Sequence, residues 1–419
     1  MAENPSGGPE QPPASPIAAT PHDANERTFT IFVVAGEHSG DALGGKLMAE
    51  LNERLPNRIR YLGVGGAEMA SQGLISQYPL ADVAVMGPIN ILKALPRIRK
   101  RVFHTVDAAI AADPDIVVII DSPEFTHPIA KRIRKRRPDI PIIDYVSPSV
   151  WAWRPGRAKK MAPYVDHLLA LLPFEPGAHK RLGGPDCTYV GHPLIERLGW
   201  LNALETDSLT TRLALDAEKP ILVVLPGSRR SEVRVLMEPF GGTIRKLIEA
   251  GITPEVIIPA VEDLRDDIQQ AATSWPVEPH IITGQDDKFR AFRLADAALA
   301  ASGTVTLELA MAGTPMVVGY LVDGLAANLR FLVNVPSIVL ANLVLDDPVF
   351  PEFIQENCTP ENLSETLLPL FSDTPARQTQ LAGLARIPEK MARTDGQAPS
   401  AVAADVVLRY AVNGRSETL

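Results

Sequence analysis

Four stretches of this chain set polar side chains where an apolar run ends, and each suggests a different piece of chemistry. In DIVVIIDSPEFTHPIAKRIRK the run Ile116 to Ile120 stops at Asp121, and a helix-like segment follows Pro123 or Pro128. A carboxylate at the end of a buried strand can take a proton from a substrate hydroxyl, or it can simply cap the next helix. In ILVVLPGSRRSEV a strand leads through Gly227 and Ser228 to Arg229 and a helix start. Backbone N–H groups at such a start can bind phosphate, and the guanidinium can hold two phosphate oxygens. In DAALAASGTVTLELAMAGTPMVVGY, Ser302, Gly303 and Thr304 open a helix, and Glu308 lies about one turn further along the same face. The amides there suit a diphosphate, and the carboxylate suits the two hydroxyls of a ribose. The fourth stretch, TFTIFVVAGEHSGDALGGKLMAEL, carries Glu37, His38, Ser39 and Asp41 on a small-residue turn, with Ser39 or Asp41 expected to cap the helix that follows.

Several other chemistries are not supported. Gly36 to Gly40 lacks the G-x-S-x-G spacing of a nucleophile elbow. Neither G-x-G-x-x-G nor a P-loop occurs at the 227–229 turn, and GVGG at Gly63 to Gly66 is incomplete, so dinucleotide and ATP sites are not indicated. Cys187 and Cys358 offer neither a disulfide framework nor paired metal-ligand spacing, which fits a reducing, cytosolic compartment.

Short β-branched runs alternating with amphipathic stretches must position these turns, the pattern of a parallel sheet covered by helices. The first set of expected strands is Thr28 to Val34, Arg60 to Gly63, Ile116 to Ile120, Pro141 to Tyr145, His167 to Leu171 and Thr188 to Val190. The second is Ile221 to Leu225, Glu255 to Pro259, His280 to Ile282, Ala297 to Ala300 and Met316 to Val318, with a last strand at Ile338 to Leu340. The expectation is an α/β protein of two Rossmann-like domains facing a central cleft, joined near Leu198 to Leu209. The domain limits read as 27–199 and 200–385, with C-terminal helices over 386–419.

The length of 419 residues fits two such domains. Residues 1–26, with six prolines, four acidic groups and no Lys or Arg, read as a disordered tail and not as a signal peptide. No apolar run approaches the roughly 18 residues of a spanning helix. A net charge of −9 argues against a general nucleic-acid coat protein. The charge is uneven: residues 27–199 hold 23 basic and 17 acidic side chains, whereas 200–419 hold 18 and 29. The basic clusters Lys93 to Arg101, Lys131 to Arg137 and Arg154 to Lys160 suit an anionic lipid or membrane surface, or are solvated helix faces. Over Ile89 to Phe103 the residues Ile91, Leu95, Ile98 and Val102 recur at helical spacing beside Lys93, Arg97, Arg99, Lys100 and Arg101. That segment can lie in a membrane interface or pack its apolar side on the core.

Taken in order, AGEHSGD, VMGPINILKALPRI, IDSPEF, YVSPSVWAWRPGR, LPFEP, GHPLIE, LPGSRRSEV and ASGTVTLE with GTPMVVGY resemble the lipid-A-disaccharide synthases over roughly residues 28–345. The resemblance implies an inverting, metal-independent glycosyltransferase of the GT-B type, with last helices that cross back to the first domain. The implied reaction joins UDP-2,3-diacylglucosamine to 2,3-diacylglucosamine 1-phosphate (lipid X), giving a β-1,6-linked disaccharide 1-phosphate and UDP at the inner face of the inner membrane. No cofactor is implied, and the UDP-sugar is a substrate. On this reading Asp121 is the base and Arg229 stabilises the leaving group. Gly227, Ser228, Ser302, Gly303, Thr304, Glu308 and Asn342 hold the nucleotide-sugar. Glu37, Ser39, Asp41, Ser147, Trp151, Trp153 and His192 shape the acceptor cleft, with packing or capping as the plainer role for the two Trp and for His192. Ile91, Leu95, Arg99, Lys100 and Arg101 dock the membrane. The chain departs from the family pattern at DSPEFT, usually DAPDFN, at His38, where a small residue or Thr is usual, and at Pro96. A UDP-N-acetylglucosamine 2-epimerase and a non-catalytic nucleotide-sugar or lipid-binding module are the alternatives. Acyl-chain preference and homodimerisation are left open.

Overall fold

The structure, a computed structural model, describes residues 27–84, 88–321 and 336–416, and side chains from Ala94 onward in the helix that opens at Pro88. The proline-rich stretch 1–26 and the side chain of Ile91 therefore lie outside the described residues.

The first unit is a parallel sheet of β1 (Phe29–Ala35), β2 (Ile59–Val64), β3 (Ile75–Ser76), β4 (Ile116–Ile120), β5 (Ile142–Tyr145), β6 (His167–Ala170) and β7 (Asp186–Tyr189). Its strand order is β3-β2-β1-β4-β5-β6-β7. The connecting helices are α1 (His38–Arg54), α2 (Ala67–Ser71), α3 (Pro88–Ala112), α4 (Pro123–Arg136), α5 (Gly156–Met161) and α6 (Glu175–Leu182). Three short helices, α7 (Pro193–Glu196), α8 (Leu198–Ala203) and α9 (Asp207–Leu213), lead to the second unit.

The second parallel sheet contains β8 (Ile221–Leu225), β9 (Glu255–Pro259), β10 (His280–Ile282), β11 (Ala297–Ala300), β12 (Met316–Tyr320) and β13 (Glu352–Ile354), in the order β10-β9-β8-β11-β12-β13. It is wrapped by α10 (Arg230–Glu249), α11 (Arg265–Ala272), α12 (Gln285–Leu294), α13 (Thr304–Ala312), α14 (Leu340–Leu345) and α15 (Pro360–Leu367). The chain closes with α16 (Pro375–Met391) and α17 (Pro399–Asn413).

Helices on both faces explain the uniformly apolar central strands: every residue of β4 is fully buried, because neither face meets water. The last two helices divide between the cores. Leu384, Ile387 and Met391 of α16 pack into the second unit, whereas Val402, Ala403, Val406, Val407 and Tyr410 of α17 return to the first, against α1.

Strand order fixes where a ligand can sit. In each sheet the order reverses beside the first strand, between β1 and β4 and between β8 and β11, so the loops leaving those strands diverge and open a crevice. The turn after β1 and the residues after β4 meet at the first crevice. The 227–229 and 302–304 turns meet at the second.

Two expectations need correction. Ile338 to Leu340 is not a strand: Ser337 Oγ and Ile338 N–H both donate to Glu352 Oε2, at 2.9 and 2.8 Å, and α14 starts at Leu340. The last strand is instead β13, paired with β12 from Val318↔Glu352 to Tyr320↔Ile354. The α1 start also differs. Glu37 occupies the N-cap without a side-chain hydrogen bond, so neither Ser39 nor Asp41 caps that helix.

Candidate functional site

The second crevice is a cavity of about 520 Å³, and it gathers Gly227, Ser228, Arg229, Ser302, Gly303, Thr304 and Glu308 along one lining. Three helix starts converge there, those of α10, α12 and α13. At the α13 start Gly303 has φ +148°, a conformation open to glycine, and the first N–H groups of the helix have no intrahelical partner. Ser302 is less available, because its hydroxyl donates to Ile338 O at 2.7 Å. At the α10 start a side chain unnoticed in the sequence takes the amides. Glu232 Oε2 accepts the Ser228 and Arg229 N–H groups at 3.1 and 3.2 Å, and its Oε1 accepts from the Arg229 guanidinium at 3.1 Å. Gly227, at φ +112°, keeps this turn tight, since a Cβ there would sit 2.5 Å from Glu232 Cβ. Apart from that ion pair the Arg229 side chain is exposed. Lys288, from α12, was also unnoticed: its Nζ donates to both oxygens of Glu308, at 2.9 and 3.0 Å. Glu232 stands at the third position of α10, three and four residues from its partners, where an acidic side chain closes a capping box; Lys288 carries no local signal, and what marks it is the proximity of α12 to α13.

At the first crevice Asp121 and Ser122 are consecutive left-handed residues, φ +54° and +45°, a strain of order 1 kcal/mol or more each that such sites retain when the surroundings enforce it. The Asp121 carboxylate accepts Ser39 Oγ–H at 2.9 Å on one oxygen and Ser122 N–H at 2.7 Å on the other. Each oxygen keeps a lone-pair direction for a further donor. Glu37, His38 and Ser39 are exposed around it. Asp41, expected in the acceptor cleft, is buried and does something else. Its carboxylate accepts the N–H groups of Gly66, Glu68 and Met69 at 2.7, 3.0 and 3.2 Å, which caps α2.

The segment after β5 is strained and pinned by α6. Val146 has φ +86°, unfavourable for a β-branched residue. Ser147 Oγ sits 2.7 Å from His179 Nε2, and Trp151 Nε1–H donates to Glu175 Oε1 at 3.2 Å. Trp151 meets Phe174 edge-on at 5.1 Å, and both pack against the core of the second unit. Burial, only partly offset by the Leu172 and Leu171 N–H groups and the indole, pushes Glu175 up to about 7. Burial lowers His179 to about 4, so the imidazole is neutral near pH 7. Trp151 thus serves as a contact between units, whereas Ser147 is tied within the first unit to His179, and packing accounts for both. Trp153 is the exposed one, with the Arg154 guanidinium 4.0 Å from its ring centre. His192 is the N-cap of α7, where Nδ1 accepts Leu194 N–H at 3.2 Å.

Two further expectations shift. Asn342 does not line the cavity: its amide donates to Phe350 O at 2.8 Å and Ser337 Oγ at 3.2 Å and accepts Phe350 N–H at 2.9 Å, closing the loop before β13. On α3, Val102 is buried and Ile98 packs on the same core, so the apolar stripe faces inward there. Arg101 is also turned in, donating from Nε to Asp82 at 3.0 Å and lying 4.3 Å from the Tyr78 ring centre. The outward side chains are Leu95 and Phe103, with Arg97, Arg99 and Lys100 beside them.

The family model described as lipid-A-disaccharide synthetase matches residues 31–406. The lipid-A-disaccharide synthase of Nitrobacter hamburgensis is 51% identical over 380 residues, covering 90% of this chain and 94% of that protein. Among solved structures, the UDP-GlcNAc 2-epimerase from Neisseria meningitidis bound to UDP-GlcNAc is similar with a TM-score of 0.57 at 15% identity, covering 91% of this chain and 99% of that one. MurG from Acinetobacter baumannii is similar with a TM-score of 0.52 at 14% identity, covering 91% and 99%. At such identities the two structures speak for the GT-B fold alone.

Proposed function

The chain belongs to the lipid-A-disaccharide synthase family and is a glycosyltransferase, and on that premise we propose which of its residues carry the transfer. The reaction joins UDP-2,3-diacylglucosamine to 2,3-diacylglucosamine 1-phosphate and releases UDP. The acceptor 6-hydroxyl attacks C1 of the donor sugar from the face opposite the diphosphate. Its proton passes to Asp121, the new C1–O6 bond forms with inversion, and the bond from C1 to the diphosphate oxygen breaks. Ser39 holds the Asp121 carboxylate in place by its 2.9 Å hydrogen bond. The departing charge falls on N–H groups at the α13 start and on Arg229 once it leaves Glu232, so fixed donors can do the work of a metal ion. Glu308 receives the ribose hydroxyls.

The observation that carries this reading is the placement of both groups where the strand order reverses: Asp121 at that point of the first sheet, the phosphate- and ribose-binding groups at that point of the second. The epimerase alternative has only the fold likeness at 15% identity behind it.

Among the described residues no helix is long and apolar enough to cross a membrane. Acylated substrates nonetheless reside in a bilayer, and the outward face of α3 suits docking on its cytoplasmic surface. Leu95 and Phe103, 48% and 43% exposed, stand among Arg97, Arg99 and Lys100, and the Arg132 guanidinium lies 4.9 Å from the Phe103 ring centre. Such a surface combines apolar insertion with attraction to anionic headgroups.

The test is an assay of the purified chain with both acylated sugars in detergent and EDTA, quantifying UDP and disaccharide, with D121N in parallel. Product from the wild type and not from D121N supports the assignment. Full activity in D121N removes Asp121 as the base, and activity that returns only on adding magnesium removes the metal-free mechanism.

A further inference from the structure

Glu308 has a partner whose geometry exceeds what charge balance alone requires. Lys288 Nζ reaches both carboxylate oxygens almost symmetrically, at 2.9 and 3.0 Å, with each side chain less than one-fifth exposed. The ammonium is itself confined, its Nζ lying 5.0 and 6.0 Å from the ring centres of Phe289 and Phe292. Both residues line the cavity. A lone Glu in the second turn of a helix has several side-chain torsions to explore, and holding them costs conformational entropy at the moment a ligand binds. A carboxylate offers about four lone-pair directions. Lys288 occupies one on each oxygen and leaves the others, one per oxygen, for a pair of donors spaced like the vicinal hydroxyls of a ribose. It also neutralises a charge that would otherwise repel the diphosphate entering the same cavity.

We infer that Lys288 is a positioning residue that fixes the Glu308 carboxylate to receive both ribose hydroxyls, and thereby sets a preference for a ribonucleotide over its deoxy analogue. The inference deepens the reading of this cavity as a UDP-sugar site and rests on it.

The test measures binding of UDP, 2′-deoxy-UDP and UMP by calorimetry to the full chain, to K288M, K288R and E308Q, with thermal unfolding recorded for each. A hydrogen bond to a charged group is worth roughly a tenfold difference in affinity or more, so the wild type should bind UDP at least about tenfold more tightly than 2′-deoxy-UDP. In K288M that ratio should fall below about threefold while the variant stays folded, E308Q should show the same collapse, and K288R should restore most of it. A lysine that merely supports the fold would weaken all three nucleotides in parallel and leave the ratio intact. A lysine that grips phosphate would weaken UDP more than UMP, again with the ratio intact. Either result overturns the inference while the UDP-sugar site stands. Wild-type protein that fails to bind UDP, or binds it without discrimination, removes the inference together with the ribose role of Glu308.

Discussion

Replacing Asp41 by alanine should unfold the first unit more easily and leave the chemistry of the folded enzyme nearly intact. Asp41 is 3% exposed and its carboxylate accepts three N–H groups at the start of α2. Loss of the cap costs about 1 kcal/mol. Of the three donors left behind, those of the half-buried Gly66 and the exposed Glu68 can turn to water, whereas that of fully buried Met69 cannot. One stranded N–H adds about 1–3 kcal/mol, for a total of about 2–4 kcal/mol. In a unit of this size each kcal/mol moves the midpoint by roughly 2–4 °C, so the transition of the first unit should drop by about 4–16 °C. D41N should fall about halfway, because an amide oxygen in the place of Oδ1 keeps the Gly66 and Met69 bonds and forfeits that to Glu68. Scanning calorimetry gives the shift, and UDP release measured well below the midpoint gives the turnover. An unchanged midpoint with turnover lost would refute the argument and return Asp41 to the acceptor cleft.

Other outcomes follow from the same geometry. D121N should lower turnover by about 10²–10⁴-fold, and S39A, which removes one hydrogen bond to that carboxylate, by about tenfold through kcat and not KM. His179 has no exposed surface and burial lowers it to about 4, against 6.5 when unfolded; the stability it contributes is full above pH 6.5 and is lost as pH falls toward 4. H179Q should therefore flatten the rise of stability between pH 5.0 and 6.5 by about 1 kcal/mol per pH unit, read from denaturant midpoints, and an unaltered slope contradicts the assignment. Reversing both Arg99 and Lys100 to Glu should cut pelleting with anionic vesicles by more than about tenfold, at about 1 kcal/mol per charge. Equal pelleting removes α3 as the docking surface.

Most of the two sheets could be read from the sequence because their central strands are buried on both sides. Ile116 to Ile120 and Ile221 to Leu225 are unbroken apolar runs that end where the strands end, and the run from Ala297 passes the end of its strand by one residue. The two-residue β3 is too short to leave a pattern, and β13, Glu-Phe-Ile at a sheet edge, has none of that apolar continuity. Ile338 to Leu340 mimicked a strand because Val339 must be buried, a requirement a loop entering a helix meets equally well. At the site, the turn residues that line the second crevice were legible, Gly227, Arg229, Gly303 and Thr304, as was Glu308 one helical turn on. Those whose role depends on a distant partner were not. Asp41 reaches an amide 25 positions away, Lys288 meets Glu308 across 20, and Asn342 is used up by Phe350.

The return of α17 to the first unit has a consequence for biosynthesis. Seven of its side chains, Val402, Ala403, Ala404, Val406, Val407, Tyr410 and Ala411, complete a core whose first strand is β1. A nascent chain therefore carries an unfinished amino-terminal half while everything from residue 200 to 398 is made, roughly 10–40 s at about 5–20 residues per second. The inserted half, in contrast, has its whole core once α16 has emerged. Order of completion is thus the reverse of order of synthesis, and a stop codon near residue 398 would spare the second unit while leaving the first open to chaperones and proteases.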